Sequence, residues 1–110
     1  MPTHQKTFLV ILSGRSGKLD EPPPPEVERA HYHHLLRLQD EGTLRSSGLF
    51  ATLDRGFQIL RTDTRDRADS IVKSDPLLRH NYYTRYEIDE LLSPNPEDRP
   101  HDYLRGHHPR

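Results

Sequence analysis

Thr7-Phe-Leu-Val-Ile-Leu12 is apolar on both of the faces that alternate along a strand. A strand of that kind has to be covered from both sides, so it belongs at the centre of a sheet. A chain of 110 residues has room for one core around it. Only 31% of the residues are apolar and 30% are charged. One copy therefore buries little, and a homodimer or higher homo-oligomer is expected.

Ser13 to Pro25 carries two glycines and then four consecutive prolines, so it reads as a loop running into a stiff polyproline lead-in. Pro25 suits a first helical turn. From Glu26 to Glu41, Val27, Ala30, His31, His34, Leu35 and Leu38 form one helical stripe, ended by Gly42. Leu44 to Leu53 and Phe57 to Thr62 bracket Asp54-Arg55-Gly56, a hairpin turn with glycine where a left-handed residue is wanted. Asp63 is the expected N-cap of a second helix from Thr64 to about Ser74, facing inward through Ala68, Ile71 and Val72. Asp75 continues that face, and Pro76 stops the helix. Tyr82 to Ile88 alternates as a half-buried strand.

The order strand, helix, strand, strand, helix, strand is the βαββαβ pattern of an α+β, ferredoxin-like domain. It assigns residues 1–92 to the domain and 93–110 to a Pro/His-rich tail or arm, in which Tyr103 and Leu104 are the large apolar residues. Both helices fall on one sheet face. The other face is left bare, so two sheets packing face to face is the economical dimer. A pocket is expected between sheet and helices.

A formal net charge of -1 lacks the basic excess that nucleic acid requires. No apolar run approaches the ~20 residues that span a bilayer, and none resembles a signal segment. A cytoplasmic protein without nucleic-acid or membrane partners is expected. The absence of cysteine removes disulfides, thiolate metal sites and a cysteine nucleophile.

Eight histidines are the unusual part of the composition, because histidine titrates near neutral pH. His31 and His34 lie on the inward stripe of the first helix and need partners there. Asp75, at the inward end of the second helix, can supply one across the same sheet face. Such a carboxylate sets the imidazole tautomer and leaves the other ring nitrogen for a substrate proton, as enolisation and elimination require. The same residues also fit a structural ion pair, or an aspartate capping the backbone before Pro76. Glu28-x-x-His31 and His31-x-x-His34 lack a clear third metal ligand, so neither metal nor cofactor is expected. Tyr82 and Tyr86 share a strand face and can meet one pocket; Tyr83, Arg79 and Arg85 are further candidates for aromatic or carboxylate contacts.

The run His31-Tyr-His-His-Leu35-Leu-Arg-Leu38, then Gly42-Thr-Leu44 and Gly48, is an H-x-x-x-L-x-x-L-x-x-x-G-x-L-x-x-x-G pattern. With Asp54-Arg-Gly56, the alanine-bearing second helix and Asp75-Pro76, it resembles the YCII-related (YciI-like) proteins from about Thr7 to Ile88. The resemblance implies a dimeric α+β barrel with His31 and Asp75 as the active-site pair. Relatives of that kind include a dehydrochlorinase of aromatic degradation, and muconolactone isomerases share the barrel. The sequence departs from the family at Leu49, where proline is usual, at the four-proline insert, and at His80, which stands where a small residue is common.

Together these observations predict a small-molecule enzyme, a lyase or isomerase acting by cofactor-independent proton transfer on a cyclic or aromatic-derived acid or enol. His31 is the expected acid or base and Asp75 its orienter, with His34, His80, Tyr82 and Tyr86 as substrate-binding groups. The alternative is a non-catalytic ligand-binding or assembly module with a structural His31–Asp75 pair. A cofactor-free oxygenase of the α+β barrel type is the third.

Overall fold

In the computed structural model, residues 5–14 and 21–92 are described. The expected tail at 93–110 and most of the loop after the first strand lie outside them. The elements are β1 (Lys6–Ser13), α1 (Pro25–Asp40), β2 (Leu44–Leu49), β3 (Gly56–Thr62), α2 (Arg65–Lys73), α3 (Pro76–Arg79) and β4 (Arg85–Leu91). The strands form one sheet in the order β2-β3-β1-β4, and every neighbouring pair is antiparallel. This is the ferredoxin-like arrangement, with the apolar β1 in an inner position as its composition requires.

Register decides which side chains meet the helices. Val10 pairs with Gln58 on one side and Ile88 on the other, and Leu12 with Gly56 and Tyr86. Phe8, Val10, Leu12, Leu60 and Ile88 are buried beneath Ala68 and Val72 of α2, Leu77 of α3 and Val27 of α1. Leu9, Ile11, Phe57 and Ile59 alternate onto the opposite face and are only half-buried.

The polyproline lead-in ends as expected, with Pro25 opening α1 and the Pro24 carbonyl accepting from the Val27 and Glu28 amides. The helix stops in a Schellman turn. Gly42 has φ +80°, and the Thr43 amide donates back to Leu38 O. Val27, His34 and Leu38 of the expected stripe are buried, but Ala30 is exposed. This helix packs toward α3 and the β2 edge rather than squarely over the sheet centre, which turns Ala30 to solvent.

Four local expectations are corrected. The N-cap of α2 is Thr64, not Asp63: its extended backbone lets the hydroxyl accept from the Arg67 amide at 3.1 Å. The strand β2 stops at Leu49, with a register shift between Leu44 and Ser46, rather than running to Leu53. In the turn that follows, the left-handed residue is Leu53 (φ +60°), and Gly56 already belongs to β3. Finally, β4 starts at Arg85 and not at Tyr82. A second Schellman turn takes residues 80–82, with Asn81 at φ +62° and the Tyr82 amide donating to Leu77 O at 2.8 Å.

Candidate active site

The site is built where Asp75 interrupts two helices. Pro76 holds its predecessor out of the helical region, and Asp75 takes φ -67° and ψ 126°. That break ends α2 and lets the carboxylate cap α3, with Oδ1 accepting from the Leu77 amide at 2.9 Å. The same break aims the side chain at α1. His31 Nδ1 donates to Asp75 Oδ1 at 2.9 Å, and Gln58 Nε2 on β3 donates to Oδ2 at 2.9 Å. Asp75 is 1% exposed, so α1, α3 and β3 converge on one buried carboxylate.

The charge state follows from this geometry. Burial pushes the Asp75 carboxyl up, but the hydrogen bond and charge of His31, with the Leu77 amide and Gln58, outweigh it and hold the group below its ordinary value. An ionised carboxylate only accepts, so His31 presents an N–H at Nδ1, and in the neutral imidazole the lone pair is left on Nε2. The His31 side chain retains 20% of its exposure.

A cavity of about 330 Å³ opens beside the pair. Its wall includes His31 and Leu35 of α1, Gln58 of β3 and Leu77 of α3, together with Tyr82 and Tyr83. Pro22 and Pro23 form part of the wall, and Tyr82 donates from its hydroxyl to Glu21 O at 2.9 Å, tying the lead-in to this side of the molecule. The lining is largely apolar, with polar groups at a few points, as small-molecule sites usually are. Glu28 lines the cavity as well.

Of the residues expected at the site, the structure brings together His31, Asp75 and Tyr82. It does not bring His34, Tyr86 or His80. His34 is 4% exposed, yet it is not part of the cavity wall, and its Nε2 has no partner among the described residues. Burial draws its imidazole below the ordinary value, opposed by Asp75 and reinforced by Arg37 and His31. Tyr86 lies in β4, where its hydroxyl donates to Asp69 of α2, which also pairs with Lys73. Because Tyr82 precedes the strand, the common face expected for Tyr82 and Tyr86 does not exist. His80 is exposed, as are Arg79 and Arg85, and none of the three lines the cavity.

Gln58 was not anticipated in the wall, whereas Tyr83 was among the aromatic candidates and does line it. Gln58 is 2% exposed and shares the inward face of β3 with Leu60, so a polar residue at a buried strand position was the available signal. Tyr83 is buried, and its ring meets that of Tyr82 edge to face at 5.3 Å. Burial, with Tyr82 and Asp75 nearby, pushes its phenol up to about 12.

Comparison with known domains gives a match of the YCII-related domain to residues 7–92. The chain belongs to the YCII-related domain family. No curated protein matches it. Among solved structures, 5-chloro-2-hydroxyhydroquinone dehydrochlorinase from Burkholderia phenoliruptrix AC1100, in complex with 2,5-dihydroxybenzoquinone, is 20% identical with a TM-score of 0.59. That match covers 76% of this chain and 90% of the dehydrochlorinase. PA3566 from Pseudomonas aeruginosa is 13% identical with a TM-score of 0.50, over 83% of this chain and 94% of its own. At these identities the likeness establishes the fold, and the YCII-related domain here is an α+β domain of that type. Among the described residues, no helix is long and apolar enough to cross a membrane, and no cluster of three or more potential metal ligands forms.

Proposed function

We propose that this YCII-related domain is a lyase or isomerase that moves a proton on a small cyclic or aromatic-derived acid or enol, with His31 as general base and acid. The observation that carries this is the 2.9 Å bond from His31 Nδ1 to a carboxylate that is itself fully held, beside an apolar cavity. Asp75 orients the ring, selects the Nδ1–H tautomer of the neutral imidazole, and stabilises the imidazolium once it forms. In an elimination, Nε2 takes a proton from carbon or, for a chlorohydroquinone in its keto tautomer, from a ring hydroxyl, and the electron pair of that bond moves into the new π bond. The leaving group departs with its own pair, as chloride from a chlorinated ring, and His31 returns the proton to water. In an isomerisation the same imidazolium returns the proton to a different carbon. The dehydrochlorinase with the same fold supports the elimination arm.

The test is proton exchange in deuterated buffer on cyclic 1,3-diketones, with chloride release from 5-chloro-2-hydroxyhydroquinone as a second assay. Acceleration by the wild type that His31→Ala abolishes while the fold persists is the expected result. Exchange and chloride release no faster than in buffer, or unchanged in His31→Ala, would sink the reading.

The assembly is read from the other sheet face. Leu9, Ile11, Phe57 and Ile59 form a contiguous apolar stripe flanked by Arg61, Glu87 and Asp89, which supports packing against a second copy of the chain. Light scattering after size exclusion should give twice the chain mass for the wild type and the chain mass for Ile11→Asp. A monomeric wild type would overturn this.

A further inference from the structure

Glu28 is a wall residue to which the functional reading gives no task. It stands three residues before His31 on α1, and both side chains line the cavity. That spacing puts them on one helix face with their β-carbons about 5–6 Å apart. Glu28 is exposed where it lines the cavity, so a ligand there can reach it, and it makes no ion pair among the described residues. An acid in a first helical turn ordinarily serves the helix dipole. Glu26 shares that turn and that role, but it does not line the cavity.

The charges of the site add to a negative total whether His31 is neutral or protonated. Asp75 is held ionised behind the imidazole, and Glu28 places a second carboxylate on the wall. The imidazole supplies at most one positive charge. At best it cancels Asp75, and the charge of Glu28 is left over. Among the described residues, no lysine or arginine joins the wall to offset it. Most of the remaining lining is apolar or aromatic, including Leu12, Leu35, Phe57 and Tyr82, and such surroundings screen a charge less well than water does.

We propose that Glu28 is the charge filter of this cavity: it admits uncharged and cationic rings and turns away rings that carry a carboxylate. This deepens the functional reading above by choosing between its two ligand classes, and it rests on the cavity being the ligand site. Of an acid and an enol, the substrate is the enol, a ring bearing hydroxyl or carbonyl groups and no carboxylate. The filter does not depend on His31 acting as a base.

The experiment uses benzylammonium, benzyl alcohol and benzoate, rings of nearly the same size that differ in charge. Each is titrated at neutral pH and low salt into the ¹⁵N-labelled full chain and followed by amide shifts around the cavity. In Glu28→Gln, benzoate should bind about threefold more tightly and benzylammonium about threefold more weakly, with benzyl alcohol changed by less than about twofold. Opposed shifts for the two ions separate a charge effect from lost packing or a disturbed fold. Glu26→Gln removes the same charge from the same helical turn, and it should move each ion by less than about 1.5-fold. Ion affinities that stay put or move together in Glu28→Gln, equal effects of the two substitutions, or no binding of any probe up to its solubility overturns the filter. His31→Ala should leave the effect of Glu28→Gln in place, and an effect that vanishes there overturns the filter too. Opposed shifts that persist while proton exchange fails the His31 test retire the catalytic reading and keep the filter, and the converse retires the filter alone.

Discussion

Gly56 lies directly beneath the hydroxyl of Tyr83, so closely that a methyl group there would stand 2.5 Å from the phenolic oxygen and 3.2 Å from the ring carbon bearing it. The glycine is needed for space rather than for a left-handed backbone, which Leu53 supplies instead. Gly56→Ala should therefore push Tyr83 aside and destabilise the domain by about 1–3 kcal/mol. The chain has no tryptophan, so tyrosine emission and urea melts can report both effects. In a Tyr83→Phe background the alanine should cost measurably less, since the closest atom is gone. An identical cost in both backgrounds refutes the contact.

Asp75 takes three hydrogen bonds, and its replacements should separate by how many they preserve. Asparagine retains an acceptor for His31 and the Leu77 amide, and its N–H₂ satisfies Gln58 Oε1 once that amide turns over. Leucine preserves none of these bonds. We expect a loss of about 1–2 kcal/mol for Asp75→Asn and more than about 3 kcal/mol for Asp75→Leu in urea denaturation. The ¹⁵N shifts of His31 should also change, with the Nδ1–H tautomer dominant in the wild type and mixed in Asp75→Asn. Equal losses, or a wild-type ring protonated mainly on Nε2, would contradict the network.

Acid should weaken the fold in two separate windows. His34 is buried with a lowered value, so the unfolded chain binds its proton first, and stability is complete above about pH 6.5 and declines as pH falls below it. The depressed Asp75 carboxyl contributes stability that is complete above about pH 3.9 and is lost as pH falls through the folded-state value. His34→Leu should flatten the upper window only, and should be neutral within about 1 kcal/mol at pH 7 because it removes an unpartnered Nε2. A stability profile of that variant parallel to wild type would assign the upper window to another histidine.

Tyr82→Phe removes the bond that holds Glu21 O against the far side of the cavity. The expected loss is about 1 kcal/mol, with faster amide exchange at Glu21 and little change at the buried residues of β1. Unaltered exchange at Glu21 would show that this bond does not hold the lead-in in place.

How much of this was legible in the sequence depends on distance along the chain. The doubly apolar Thr7–Leu12 placed β1 inside the sheet, the helical stripe and Gly42 bounded α1, and Asp75-Pro76 marked a break with a carboxylate facing inward. Each rests on neighbours a few residues apart, where period and steric rules act. One-residue choices were less readable: Asp63 and Thr64 are both good caps, and only the backbone entering α2 selects Thr64. Tyr82 and Tyr83 looked like strand residues because their alternation fits one, and the turn at Asn81 outweighs it.

The site divides in the same way. Sequence by itself determined that His31 and Asp75 face inward from separate elements, since helical period and a proline break are local. Only the tertiary structure decided that α1, α3 and β3 meet at one carboxylate, that Gln58 is held with its acceptor bare, that Tyr83 rests on Gly56, and that His34 and Tyr86 point elsewhere. Those outcomes depend on strand register and on how helices settle over the sheet, and a hydrogen bond is made or lost within an ångström or so that no local pattern encodes.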